Sequence, residues 1–190
     1  GGSLLASGLN IFLNTTGIYL GSGGNHITGG SIHGNTTGMS ISGYSNDVLG
    51  VAFGQNTTGL AIINGGFNQL HDLRFSGNTT GLQVGTAGLA QGNNDISAKF
   101  NSNTTHINWA NAGNASNILY ASVWTATGET ALAGTPSSSN KIDILSAGAG
   151  ANTNNSTFTA NVGIGVASSL NKLAVNAPVT ADTLATTIIT

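Results

Sequence analysis

Charged side chains are scarce in this 190-residue chain, which has four Lys or Arg and six Asp or Glu residues and is only 5% charged. Average globular proteins are roughly a quarter charged. Proteins that bind nucleic acid neutralise its phosphates with Lys and Arg, so we expect no nucleic-acid partner. Disordered chains combine low hydrophobicity with high net charge. This chain is 39% hydrophobic with a net charge of −2, which indicates a folded protein.

Cysteine is absent, which excludes a disulfide framework and thiolate chemistry. No apolar run reaches the roughly 20 residues of a transmembrane helix, so no membrane span is expected. The sequence begins at Gly1 rather than at a methionine, and we therefore expect a processed product or a fragment. Glycine, in contrast, is abundant at 29 residues, and Asn, Ser and Thr fill most of the remaining polar positions.

One motif, Asn-Thr-Thr-Gly, recurs along the chain at nearly constant intervals. It occupies Asn14–Gly17, Asn35–Gly38, Asn56–Gly59 and Asn78–Gly81, and it returns without its glycine at Asn103–His106. The intervals are 21, 21, 22 and 25 residues. A fixed period in this range is typical of a solenoid, in which each repeat buries its apolar face against its neighbours.

Apolar residues recur at fixed offsets from this motif, with the two-residue spacing of strands. The first strand of each repeat supplies inward pairs: Ile18 and Leu20, Met39 and Ile41, Leu60 and Ile62, Leu82 and Val84, Ile107 and Trp109. A second strand supplies Ile27, Val48, Leu70, Ile96 and Leu119, and a third supplies Ile11, Ile32, Phe53, Phe75 and Phe100. Three short strands and three turns in about 21 residues predict one triangular coil.

Two columns of asparagine stand at the corners of these coils. The first is Asn14, Asn35, Asn56, Asn78 and Asn103, and the second is Asn25, Asn46, Asn68, Asn94 and Asn117. An asparagine at a turn can donate to and accept from the same residue one coil away, which forms an amide ladder. The first column also fits the Asn-x-Thr glycosylation pattern, but its recurrence at the coil period favours the structural ladder.

The asparagine-x-x-x-glycine-hydrophobic rhythm of residues 5–124 resembles the repeats of pectate-lyase-like parallel β-helices. The resemblance implies an all-β fold, a right-handed single-stranded parallel β-helix with coils of about 21 residues. We assign this β-helix to residues 1–124. An irregular connection with short strands follows at 125–160. A β-rich C-terminal segment at 161–190, for trimerisation within a fibre, completes the chain.

The C-terminal segment resembles a motif of tail fibres and surface appendages. The matching residues are Asn161, Val162, Gly163, Ile164 and Gly165, followed by Lys172, Leu173 and Val175. In tail fibres such a segment often precedes a self-cleaving intramolecular chaperone that helps the fibre to trimerise. The match covers about 15 residues and departs from the pattern at Val166 and Ser169. It implies a homotrimer on a virion or cell exterior, in contact with neighbouring fibre segments.

Parallel β-helices often carry polysaccharide hydrolases or lyases, and a pair of carboxylates is the catalytic signature of the hydrolases. Asp47 and Asp95 share one column two coils apart, about 10 Å by strand stacking, within the range of paired carboxylates in glycoside hydrolysis. His26 and Gln69 stand in the same column on either side of Asp47. The row is interpreted first as a solvated polar face, and a hydrolytic or sugar-binding stripe is the alternative. Arg74 and Lys99, one coil apart, lack the acidic cluster of a lyase.

The remaining candidates favour structural roles. His33, His71 and His106 lack the spacing of metal ligands, and we expect neither a metal nor a cofactor. Trp109 and Trp124 could form a platform for stacking sugars, but Trp109 falls in an inward column and is expected to pack in the core.

Together these features predict a structural fibre or spike protein of a virion or cell exterior, trimeric and attaching to a host-surface glycan or receptor. A polysaccharide-degrading enzyme on the same scaffold is the alternative. An ice-binding solenoid is disfavoured, because the paired threonines are expected at turns rather than on a flat strand face.

Overall fold

The computed structural model of the chain divides into two compact units, Gly1–Thr159 and Ala160–Thr190. Residues 3–86, 91–110 and 116–147 are described by the structure. The predicted fibre segment at 161–190 lies outside these ranges, as do residues 148–160 before it.

The described residues form sixteen strands and no helix, joined by short turns. In chain order they are β1 (Leu5–Phe12), β2 (Thr16–Leu20), β3 (His26–His33), β4 (Thr37–Ile41), β5 (Asp47–Leu49), β6 (Ala52–Gly54), β7 (Thr58–Ile62), β8 (Gly65–Gly66), β9 (Gln69–Ser76), β10 (Thr80–Val84), β11 (Gln91–Gly92), β12 (Asp95–Asn101), β13 (Thr105–Trp109), β14 (Ile118–Trp124), β15 (Thr130–Gly134) and β16 (Lys141–Ala147).

Parallel pairing stacks these strands into two long sheets and one short one. The first sheet has the order β1-β3-β5-β9-β12-β14-β16, and β6 follows β5 end to end in the same row between β3 and β9. The second has the order β2-β4-β7-β10-β13-β15, and β8 pairs with β11 in the third. Each strand pairs with the equivalent strand one coil away, which is the connectivity of a parallel β-solenoid. The predicted all-β solenoid is confirmed.

The interior consists of the apolar columns that the repeat predicted. Rings of one column stack directly, with centroid distances of 4.9 Å from Phe53 to Phe75 and 4.8 Å from Phe75 to Phe100. The column that begins at Ile27 is fully buried, and Trp109 ends the column that contains Ile62 and Val84. Stacking at the coil spacing places each ring in van der Waals contact with the next.

The predicted division of each coil into three strands differs from the structure on the first sheet. There the second and third predicted strands run together as one strand in β3, β9, β12 and β14, and they separate only in β5 and β6. A left-handed residue bends this sheet in the first four coils, at Gly8, Gly29, Gly50 and Asp72. The bend ends there because Ile96 and Ala98 pair with Leu70 and Leu73, which leaves β12 one residue shorter than β9.

Both long sheets continue past residue 124. β15 pairs with β13, and β16 pairs with β14 over its whole length. These strands lie in the range that the sequence assigned to an irregular connection with short strands. The loop predicted around Gly85–Asn93 brings β11 onto β8, while residues 87–90 lie outside the described ranges.

Candidate functional site

The first asparagine column is a continuous ladder of buried amides. Asn56 donates its backbone N–H (2.9 Å) and its Nδ2 (3.0 Å) to Oδ1 of Asn78. The same Nδ2 lies 3.0 Å from the carbonyl oxygen of Ile32. Asn35 in turn donates to Oδ1 of Asn56 through both of its nitrogens. The pattern repeats from Asn14 to Asn103, and it satisfies polar groups that burial would otherwise make costly.

The asparagines of this ladder are also the ones that fit the Asn-x-Thr glycosylation pattern. Asn35, Asn56, Asn78 and Asn103 are at most 3% exposed, and their Nδ2 atoms donate to acceptors inside the protein. The amide nitrogen that a glycan would modify is therefore occupied in the folded solenoid at these positions. Asn14, at the N-terminal end of the ladder, is exposed.

The second column forms an equivalent ladder and extends one rung further than predicted. It runs from Asn25 to Asn117, with side-chain Nδ2 to Oδ1 distances of 2.7–2.9 Å. Asn117 then donates both nitrogens to Oδ1 of Asn140 at 3.0 Å. At the opposite end the backbone N–H of Leu4 donates to Oδ1 of Asn25. Asn140 was missed because its repeat lies behind the irregular stretch before it.

The first ladder ends differently, on a buried histidine. His106 replaces the glycine of the motif and is fully buried. Nδ2 of Asn103 lies 3.1 Å from its Nδ1, and Oε2 of Glu129 lies 3.1 Å from its Nε2. Nδ1 therefore accepts and Nε2–H donates, which is the neutral imidazole. Burial lowers the pKa of His106, and the Glu129 carboxylate offsets part of that shift.

The register explains why this pair stands at the ladder's end. Thr105 pairs with Thr130, so Gly128 takes the column position of an asparagine and Glu129 that of a threonine. Gly128 has no side-chain amide with which to continue the ladder. Glu129 instead accepts from the backbone N–H of Ala126 at 2.8 Å and from the imidazole. The pair is accordingly a structural end to the column, with the carboxylate stabilised by two donors.

The row proposed as a catalytic stripe lies on the outer surface of the first sheet. Asp47 and Asp95 each pair in register with Gln69, which separates the two carboxylates. Nδ1 of His26 lies 2.8 Å from Oδ2 of Asp47, and both side chains are more than 40% exposed. The structure thus brings His26 to Asp47 and leaves Asp95 one strand beyond Gln69.

The other candidates occupy separate surface positions. The Arg74 guanidinium lies 3.8 Å from the Asp72 carboxylate, and both are largely exposed. His33 stacks on Phe12 with a centroid distance of 5.4 Å, and Nε2 of His71 lies 2.9 Å from the Gln69 amide oxygen. In the part of the chain that the structure describes, no three His, Cys, Asp or Glu side chains are grouped to hold a metal ion.

A shallow groove, not foreseen from the sequence, lies on the outer face of β9, β12, β14 and β16. Its volume is about 320 Å³, and its lining includes Asp72, Lys99, Tyr120 and Asp143. Nζ of Lys141 donates to the Tyr120 hydroxyl at 2.8 Å and lies 4.9 Å from the ring centroid. This hydrogen bond raises the pKa of Lys141 and holds the ring in place.

The two tryptophans have opposite environments. Trp109 is 2% exposed and packs in the core, as predicted from its column. Trp124 is 57% exposed and lies on β14, four residues beyond Tyr120. The sequence singled out Trp124 but not Tyr120, because the groove depends on a change of register between β9 and β12.

The residues of the tail-fibre motif, Asn161 to Gly165 with Lys172, Leu173 and Val175, lie outside the described residues. Within the described ranges, no helix has the length and apolar character needed to cross a membrane. Comparison of the chain with protein-family models, curated proteins and solved structures finds no match in any of the three.

Proposed function

We propose that this chain is a structural segment of a fibre or spike on the exterior of a virion or cell, assembled as a homotrimer. The observation that carries the proposal is the pair of buried asparagine ladders, which join every coil to the next through side-chain amides. Such cross-coil bonding stabilises a one-dimensional stack without disulfides, metals or charge networks. A fibre segment on the exterior of a virion or cell needs this kind of stability.

The composition supports the same function. A chain that is 5% charged presents a surface of hydroxyl and amide groups, which suits close packing against symmetry-related copies. The tail residues Asn161–Gly165 resemble fibre segments that precede trimerising chaperones. We propose that residues 161–190 associate with two further copies of themselves and that the solenoid, of pectate-lyase-like type, contacts neighbouring fibre segments.

The proposal is tested by the native mass of the full chain and of a variant truncated after residue 160, both measured by light scattering. A trimer that becomes a monomer on truncation is the expected result. A monomer in both forms would contradict the proposed role of the tail and of the fibre. Circular dichroism of both forms checks that the solenoid is intact, so that loss of folding is not mistaken for loss of assembly.

A polysaccharide-degrading enzyme is the second candidate, favoured by the 2.8 Å contact between His26 and Asp47 and by Asp95 in the same row. Incubation of the full chain with acidic and neutral polysaccharides tests it. Cleavage that is lost in Asp47→Asn would establish the enzyme and displace the structural proposal. Absence of cleavage across the panel is the result that the structural proposal predicts.

A further inference from the structure

We propose that the groove over β9, β12, β14 and β16 binds a neutral oligosaccharide of at least three sugars, which stacks on Tyr120 within the groove and on Trp124, beyond the groove lining on the same face of β14. This inference rests on the proposed function, since it supplies the attachment site of an exterior fibre. It concerns a surface separate from the Asp47 row. It also requires no chemistry beyond non-covalent binding.

The groove exists because the solenoid changes cross-section at β12. Asp72, a left-handed corner residue (φ 50°), has no counterpart in β12, and its backbone N–H donates to the Ser97 hydroxyl at 3.1 Å. The bend at Asp72 in β9 therefore projects outward past β12 and β14, which lack this bend. The resulting volume of about 320 Å³ is at the lower end of the roughly 300–1,000 Å³ of ligand pockets.

Two aromatic rings project from the floor strand on the same side. Tyr120 and Trp124 are 42% and 57% exposed, and they alternate with buried residues along β14. A spacing of four residues places them about 13 Å apart. A trisaccharide or longer chain spans this distance, whereas a single sugar does not. Rings with an apolar face and a polar edge are the side chains that contribute most at binding surfaces.

Polar groups lie between and beside these rings at strand intervals. Ser97 pairs with Tyr120 and Lys99 with Ser122 across β12 and β14, while Tyr120 pairs with Asp143 across β14 and β16. Hydroxyl, ammonium and carboxylate groups together offer both donors and acceptors. Sugar hydroxyls need both. Lys99 forms no salt bridge with another described residue and remains able to donate.

The charges and the geometry disfavour other polymers. The ammonium groups of Lys99 and Lys141 are balanced by the carboxylates of Asp72 and Asp143, so the groove has none of the excess positive charge that polyphosphates and polyanionic sugars require. An extended peptide binds a sheet by adding a strand at its edge. The groove lies on the face of the sheet, where β12 and β14 already pair on both sides. A neutral glycan fits both constraints.

The test is a titration of the full chain with a panel of linear neutral tri- to hexasaccharides, followed by tryptophan fluorescence and calorimetry. We expect at least one glycan to bind, and Tyr120→Ala and Trp124→Ala each to weaken that binding tenfold or more. Trp124→Phe retains a ring and should lose less than fivefold. Tyr44→Ala removes an exposed aromatic (54%) far from the groove in sequence and is the matched control, with no change expected.

A blocking variant keeps the proposal testable if an alanine variant does not fold. Ser122→Tyr, in the centre of the groove, should abolish binding while leaving the far-ultraviolet spectrum unchanged. Failure of the panel to bind overturns the proposal, and so does equal binding by the wild type and Ser122→Tyr. A preference for peptides or polyphosphates over neutral glycans overturns it as well. Because the groove variants leave residues 161–190 intact, an unchanged trimer mass separates this failure from failure of the fibre proposal.

Discussion

The imidazole of His106 and the carboxylate of Glu129, 3.1 Å apart, close the C-terminal end of the first asparagine ladder. The ring accepts from Asn103 on one side and donates to the carboxylate on the other. Phe100 lies against it edge-on, with ring centroids 6.1 Å apart. In earlier coils the equivalent position is glycine, where a Cβ would lie 2.5–2.7 Å from a carbonyl oxygen of the next coil and, in three of the four coils, also against the ring of that coil's phenylalanine. The coil after His106 carries Val123 in that column, which leaves space for the ring.

The stability of the solenoid should depend on the protonation of His106. Its pKa is lowered in the folded chain, chiefly by burial. The unfolded chain therefore binds more protons than the folded one just below the ordinary histidine pKa of about 6.5. The stabilisation is complete above that pH and is lost as the pH falls towards the lowered pKa. Urea unfolding between pH 8 and pH 5 measures the slope.

Two variants separate His106 from the other titrating groups. His106→Gly restores the residue that the motif has elsewhere and should flatten this part of the pH dependence. Glu129→Gln removes the charge that raises the pKa of His106, so the loss of stability should extend to lower pH. An unchanged slope in His106→Gly would rule out His106 as its source.

Gly59 should not tolerate a methyl group. A Cβ at this position would lie 2.6 Å from the carbonyl oxygen of Gly81 and 2.8 Å from Cδ1 of Phe75. Overpacking of this kind costs about 1–3 kcal/mol, and we expect Gly59→Ala to lower the free energy of unfolding by that amount. Gly54→Ala is the matched control, because its nearest contact would be an ordinary 3.7 Å. Equal effects of the two variants in urea unfolding would contradict the conclusion that the next coil leaves no room for a side chain at Gly59.

Removal of the central ring of the phenylalanine stack should be among the most damaging single changes. Phe75 is 1% exposed and stacks on Phe53 and Phe100. Phe75→Ala is expected to cost about 3–5 kcal/mol, since it removes buried contacts and leaves a cavity. Phe67→Ala, at an exposed turn (59%), should change stability by less than about 0.5 kcal/mol. Thermal unfolding of the pair measures the difference, and similar shifts would argue against a stacked interior.

The pair formed by His26 and Asp47 should contribute little to folding. Both side chains are more than 40% exposed, and exposed ion pairs contribute about 0–1 kcal/mol. Asp47→Asn is therefore expected to leave the unfolding midpoint nearly unchanged, which also makes it a clean variant for the polysaccharide assay. A large loss of stability would show that the row is structural rather than a solvated face.

The columns of the solenoid could be predicted because each position is repeated at the coil period. Asn56 and Phe75, for example, are recognisable only through their equivalents one coil away. A single short apolar pair predicts little, but its repetition at the coil period aligns the coils with one another. That alignment determines which side chains point inward. The fold class, the two ladders and the burial of Trp109 followed from it.

The features that escaped prediction arise where the repetition changes. The bend at Asp72 disappears because β12 is one residue shorter, and a single deletion is not visible against an interval that varies from 21 to 25 residues. Glu129 takes the position of a threonine after a stretch with no apolar rhythm, so its contact with His106 had no sequence signal. The groove beside Tyr120 follows from that same loss of a corner.

The free energy of unfolding of Asn56→Ala tests most directly whether side-chain amides hold the coils together. The substitution removes the acceptor of two Asn35 donors and the donor to Ile32. One buried polar group without a partner costs about 1–3 kcal/mol, so a loss of at least roughly 2 kcal/mol is predicted. Asn14→Ala, at the exposed end of the same ladder, should cost less than about 1 kcal/mol. Equal and small losses of unfolding free energy in both variants would contradict this role of the amides. The hydrogen bonds of the ladder would then stabilise the fold no more than hydrogen bonds to water do.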